Sequence, residues 1–305
     1  MNTTILDTIT AAFVNALSDG QQALAAYSLP LLGVFAVIAF YVQFAPLLAS
    51  GGGGAGDAAA SLLLTVVKFG VFYWILVNLA GMAEAAFLTF LQWGIAPAGG
   101  GLSAQTFLSP STVLDVGFRL GKPLWTFTDS WVGWAGVWNW PMLIAFSLAF
   151  YAIILSFMFI ALHLMMTIIE YNMAVLVATV LIPWGVLQPT AFFTEFSLGW
   201  LTGGLVRILV TAGMVGIAIP LFDLVQFTTT GGNDPTFYSA LVCGLTSGIF
   251  AILSWVVPGR AALIAGRGVS LALHGGTILA GAAGAGRGVL LVTSIIRGVS
   301  SLVRR

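Results

Sequence analysis

The chain has 305 residues, of which 59% are hydrophobic and only 7% charged, and its mean hydropathy is +1.06. Soluble domains carry about 25% charge, so this composition excludes a globule covered by water. Net charge is zero but unevenly placed: all ten acidic residues fall at or before Asp234, while six of ten basic residues (Arg260, Arg267, Arg287, Arg297, Arg304, Arg305) follow Pro258.

Each bilayer crossing takes roughly 20 mostly apolar residues, and several such runs are present. The fold class is therefore an all-α, polytopic integral membrane protein with five to six transmembrane helices, an amphipathic N-terminal helix and a basic C-terminal tail. The tail, with its excess of six positive charges, marks a cytoplasmic end and favours anionic lipid. The first Lys or Arg is Lys68, so the basic n-region of a cleavable signal is not expected.

In chain order, Ile5, Ile9, Phe13, Ala16 and Leu17 recur at helical spacing opposite Asp7, Thr8 and Asn15, which predicts a short amphipathic helix ended by Gly20 within a region 1–25. The first crossing is expected near 28–49, followed by the flexible connector "SGGGGAGDA" at 50–58. A second crossing lies within 61–93, with Lys68 and Glu84 towards opposite ends. Residues 94–140 are less hydrophobic and close on five tryptophans, Trp125, Trp131, Trp134, Trp138 and Trp140. Such a cluster reads as an interfacial belt or, more sharply, as a docking surface for a partner.

From Pro141 to Leu187 the chain is apolar for 47 residues, interrupted by Glu170, Tyr171 and Asn172. One helix of that length would span about 70 Å at ~1.5 Å per residue, so two helices turning near 169–173 are predicted. A fifth crossing is placed within 197–226 and a sixth within 237–257, which makes 26–257 the membrane domain and 258–305 the tail. Six crossings with both ends cytoplasmic suit the charge rule best; five would put the N-terminus and the tryptophan-rich segment outside.

Ionisable residues within the bilayer are functional candidates because their burial is costly. Among Lys68, Glu84, His163, Glu170, Arg207 and Asp223, the pair His163 and Glu170 share a helix face and, with Arg207, are candidates to line a pore or ring. An Arg207–Glu170 pair locking two helices is the alternative. Gly199–Gly203 and Gly244–Gly248 form GxxxG pairs suited to close helix packing. No HExxH, GxSxG or Walker-type pattern is present, and the lone Cys243 and the distant His163 and His274 suggest no metal site. Nothing in the sequence forms a catalytic constellation, and no cofactor is expected. Arg260, Arg267 and His274, spaced by seven, share a face that suits a helix lying on the inner leaflet.

One stretch goes further. "LIPWGVLQPTAFFTEFSLGWLTGGLVRILVTAGMVGIAIPLF" (181–222) resembles the TrbL family, polytopic inner-membrane subunits of type IV secretion and conjugation machines. The resemblance rests on the corner Pro183-Trp184-Gly185, then Thr190, then a glycine-rich helix with Gly203-Gly204 and a central Arg207. Trp184 stands where the family more often has Phe. The resemblance implies a homopentameric ring in the bacterial inner membrane at the base of a secretion stalk. A minor pilin-like subunit would stack on it, with pilin, secretion ATPases and other inner-membrane components as partners. It also implies a periplasmic central segment and passage of DNA or protein. Arg207 repeated around a ring could attract the phosphates of a transferred single-stranded DNA. The rival reading is a solute transporter or channel acting alone.

Overall fold

A computed structural model of the protein describes residues 5–50, 55–98, 109–130, 140–230 and 237–266. Among these the structure is all helical, with six α-helices: α1 (Ile5–Ser50), α2 (Ala55–Ile95), α3 (Pro110–Ser130), α4 (Trp140–Leu181), α5 (Ala191–Thr230) and α6 (Phe237–Gly266). Short 3-10 turns at Ala96–Ala98, Ile182–Val186 and Gln188–Thr190 complete the described backbone.

Five of the helices are long and apolar enough to cross a membrane, over Ile5–Ala45, Leu62–Ile95, Trp140–Val186, Gln188–Ala218 and Leu241–Gly266. The number falls within the expected five to six and, among the described residues, at its lower end. The predicted turn at 169–173 is absent: α4 runs unbroken through it for 42 residues. Between Met142 and Leu181 there is no Gly or Pro to break the helix. Its polar triplet is satisfied sideways rather than by a loop. Glu170 forms an ion pair with Arg207 of α5. The Tyr171 hydroxyl donates to the Ala83 carbonyl of α2 at 2.8 Å, and Asn172 Nδ2 donates to the Ile168 carbonyl at 2.9 Å.

The predicted stop at Gly20 is also absent, because α1 continues through it and through Pro30. A Cβ at Gly20 would lie 3.2 Å from Leu176 Cδ1 of α4, so the glycine serves close approach rather than termination. At the other end, α6 carries on past Pro258 to Gly266. Residues 267–305, with most of the basic tail, lie outside the described residues, as does any seating of that tail on lipid.

Helix α4 is the spine, packed against α1, α3, α5 and α6. Phe146, Ile153, Phe157, Ala161 and Leu164 on it are all at most 2% exposed. Tyr151, Leu155, Phe159 and Met166 face outwards, as lipid permits where water would not. The amphipathic α3 lies along the first half of α4, with Gly117 against Phe157 and Gly121 against Phe150. Its start is held by the first turn of α1. Asp7 accepts hydrogen bonds from the Ser109 hydroxyl at 2.5 Å, the Ser111 backbone N–H at 3.0 Å and the Ser111 hydroxyl. A carboxylate on the unpaired N–H groups of a helix start is favourable by charge and by hydrogen bonding.

The predicted packing glycines divide. A Cβ at Gly199 would lie 2.6 Å from the Gly266 carbonyl oxygen, and one at Gly203 would lie 3.0 Å from the Ala262 carbonyl oxygen, so α5 and α6 cross backbone to backbone there. Gly244 is in ordinary contact with Ala149 of α4, whereas Gly248 has nothing within 4 Å. Among the described residues Gly248 packs against nothing. The opposed signs are measurable. Gly199→Ala is expected to destabilise the protein in detergent by about 1–3 kcal/mol through overpacking. Gly248→Ala should leave it unchanged or stabilise it by up to about 1 kcal/mol through helix propensity. Thermal unfolding of the two variants side by side reads the difference.

Candidate functional site

The Pro-Trp-Gly corner joins α4 to α5 and is the most heavily fastened part of the chain. The last carbonyls of a helix have no partner within it and must be satisfied from outside. Leu181 begins this run, and five acceptors in it find donors. The Thr194 hydroxyl donates to the Leu181 and Ile182 carbonyls at 2.8 and 3.2 Å. The Thr190 hydroxyl donates to the Trp184 carbonyl at 2.8 Å and its N–H to the Leu187 carbonyl at 3.2 Å. Lys68 Nζ, reaching across from α2, donates to the Val186 carbonyl at 3.1 Å. A cation at a helix C-terminus is also favoured by the helix dipole.

Side-chain packing fixes the same corner. Trp184 stands edge-on between Phe35 of α1, with centroids 4.9 Å apart, and Phe193 of α5, with centroids 5.6 Å apart. Gly185 is required by proximity, since a Cβ there would lie 2.7 Å from both the Phe72 ring and Thr194 Oγ1. Pro183 is buried and, lacking an N–H, leaves no donor orphaned. Sequence reasoning picked out the three corner residues but missed that Lys68, Phe72 and Thr194 complete them. The signal for Thr194 was present, a hydroxyl four residues into the helix that follows the corner.

The charged candidates are partly brought together. Arg207 Nη1 pairs with Glu170 Oε2, joining α4 to α5, so the helix-locking alternative is the arrangement observed. His163, 2% exposed, is not part of that pair. Its ring lies 5.3 Å from that of Trp255 on α6, and its Nε2 has no hydrogen-bond partner. His163 and Glu170 thus share a helix but address different neighbours. Of the tryptophans, Trp125 packs on Phe150 with centroids 5.1 Å apart and is 44% exposed, while Trp140 opens α4 and is 61% exposed. Trp131, Trp134 and Trp138 lie outside the described residues. Among the described residues no group of three or more His, Cys, Asp or Glu side chains could hold a metal ion.

Two measurements probe these fastenings. Thr194→Val keeps the shape but removes the donor to two carbonyls and is expected to cost about 1–2 kcal/mol. Thr202→Val, which removes only a local bond to the Gly199 carbonyl, should cost less than half as much. For the ion pair, Arg207→Gln should destabilise by about 1–3 kcal/mol, below the fully buried range because Glu170 is 44% exposed. Adding Glu170→Gln should then recover part of the loss, since no lone carboxylate remains. Unfolding midpoints of the two single variants and the double variant test this coupling.

The family model described as TrbL/VirB6 plasmid conjugal transfer protein matches residues 36–257. No curated protein matches the chain. The matched segment runs from the later part of α1 into α6, takes in the whole corner, and includes Lys68, Glu170, Thr194 and Arg207. On that match, over most of its length, with three spans whole and the first and fifth in part, the chain belongs to the TrbL/VirB6 plasmid conjugal transfer protein family.

Proposed function

We propose that this protein is a structural inner-membrane component of a type IV secretion or conjugation system. In this reading it assembles as a homo-oligomeric ring, a pentamer by family expectation, at the base of the secretion stalk. It is not a catalyst. A minor pilin-like subunit and pilin build on its outer face, and the secretion ATPases work from the cytoplasm. The observation that carries the reading is the family match over the corner, Pro183-Trp184-Gly185, together with the fastening of that corner to three other helices. A fixed corner gives a rigid protomer, which is what a symmetric platform needs.

In this reading the five long apolar helices all cross, which carries the start of α1 and the end of α6 to opposite faces of the membrane. With the basic tail cytoplasmic, the corner faces the cytoplasm, and α3 with the tryptophan-rich segment faces the periplasm. That side is where a stalk subunit would dock, with Trp125 and Trp140 exposed towards it. Because Arg207 is paired with Glu170, its first role in this reading is to hold the ring's helices rather than to attract transferred DNA.

Deleting the gene should abolish plasmid transfer, and the wild-type protein supplied in trans should restore it. Single-particle class averages of the protein in nanodiscs should show a closed ring of about five subunits. Reporter fusions at residue 135 and at the C-terminus should report opposite sides of the membrane. Undiminished transfer without the protein, or a monomer with solute flux in proteoliposomes, would favour the solute-transporter reading instead.

A further inference from the structure

Among the described residues four charged side chains within the spans make no hydrogen bond or ion pair, Asp19, Glu84, Glu195 and Arg260, and two of them have complementary surroundings. Glu84 on α2 and Arg260 on α6 are both exposed, and among the described residues neither makes a hydrogen bond or ion pair. In a helix that crosses a bilayer an unpaired exposed charge is costly, so it meets a partner or a hydrated cleft.

Both stand at one level of the bundle. Ala83, next to Glu84, accepts the Tyr171 hydroxyl hydrogen bond at 2.8 Å. The ring of Tyr171 in turn lies against Gly204, 3.0 Å from where a Cβ would stand. Gly203 beside it meets the Ala262 carbonyl at 3.0 Å by the same measure, two residues beyond Arg260. A single transverse layer therefore runs from Glu84 on α2 through α4 and α5 to Arg260 on α6. Helices α4 and α5 separate the two flanks, since α2 packs on α1 and α5 while α6 packs on α4 and α5.

The surroundings of the two charges are complementary. Glu84 lines a groove of about 580 Å³ between α1, α2 and α4, together with Asn15, Gln21 and Asn172. Carboxylate and amide oxygens there match the five donors of a guanidinium. Arg260 rises from an otherwise apolar face formed by Leu253, Val256, Leu263 and Ile264, all exposed. Beside it Gly259 has nothing within 4 Å, which leaves room for a second helix to come close.

We infer that the α1–α2–α4 groove of one copy receives Arg260 from α6 of a second copy, with Glu84 and Arg260 forming the intersubunit ion pair. Two different surfaces meeting head to tail make a ring when the rotation closes and a filament when the contact also climbs along the axis. A chain of contacts linking acceptor and donor across the bundle asks for little climb on joining them, which is what a closed ring requires of its contact. The inference rests on the ring reading above and names the contact that makes it.

The test uses the full-length chain in nanodiscs in a Cys243→Ser background. Glu84→Cys and Arg260→Cys together are expected to give an oxidative cross-link ladder that stops at the ring size, while either alone gives none. Independently, Glu84→Arg or Arg260→Glu should weaken assembly by ~30-fold or more per contact. The double reversal should restore the ring, which misfolded variants would not do. A ring seen in class averages without the ladder, or unaffected by either reversal, would overturn this contact and leave the ring reading standing. In that outcome the groove serves a lipid headgroup or a cation instead. A wild-type protein that forms no ring would overturn both.

Discussion

Carbonyl oxygens at the end of a buried helix have no water to turn to, and the architecture of this protein follows from how α4 meets that constraint. Left alone, the run from Leu181 to Leu187 would leave five carbonyl acceptors without helical partners. Two threonines from α5 and one lysine from α2 supply the donors. The solution determines more than the turn. Lys68 fixes the depth of α2, Thr190 and Thr194 fix the direction in which α5 departs, and Trp184 gives α1 a ring to lean on through Phe35. Four helices are positioned by one junction because one junction had the most polar backbone to satisfy.

The interior of the bundle follows the same logic with side chains. Polar groups on α4 are satisfied in two ways: Glu170 and Tyr171 reach laterally to Arg207 and the Ala83 carbonyl, while Thr167 and Thr179 bond back along the helix to the His163 and Val175 carbonyls. His163 Nε2, Arg207 Nε and Ser254 Oγ are the buried exceptions. Apolar packing then supplies shape rather than drive, since lipid tails are as apolar as the core. Small residues therefore sit where backbones touch, at Gly94 against Leu209 and at Gly199 against Gly266, and where a large ring packs on a helix, at Gly117 against Phe157.

Much of this was legible in the chain. Apolar runs of the required length revealed the membrane class and four of the five spans, and Pro183-Trp184-Gly185 stood out as a corner before any coordinates. The failures have a common origin. Glu170, Tyr171 and Asn172 looked like a loop because polar residues in an apolar run normally mark a boundary, yet their partners lie 37 and 88 residues away in sequence for Arg207 and Ala83. Gly20 looked like a helix stop for want of knowing that Leu176 lies against it. Lys68 was recognised as a buried charge, but its partner is a backbone carbonyl, which leaves no trace in sequence. The GxxxG spacing likewise marked Gly199 and Gly248 equally, because spacing does not say which face meets a neighbour.

The Asp7 clasp has a consequence for how the chain is made. Asp7 leaves the ribosome about a hundred residues before Ser109 and Ser111, the only hydroxyls among the described residues that it engages. Through the synthesis of α1, α2 and the connecting segment, its carboxylate has no helix start to rest on. Helix α1 therefore enters the bilayer as a provisional tenant, held by its apolar faces alone. It acquires its final seat when α3 arrives to meet it. Insertion and folding are thus separable for this helix, and the second waits on a segment that is not among the five long apolar helices.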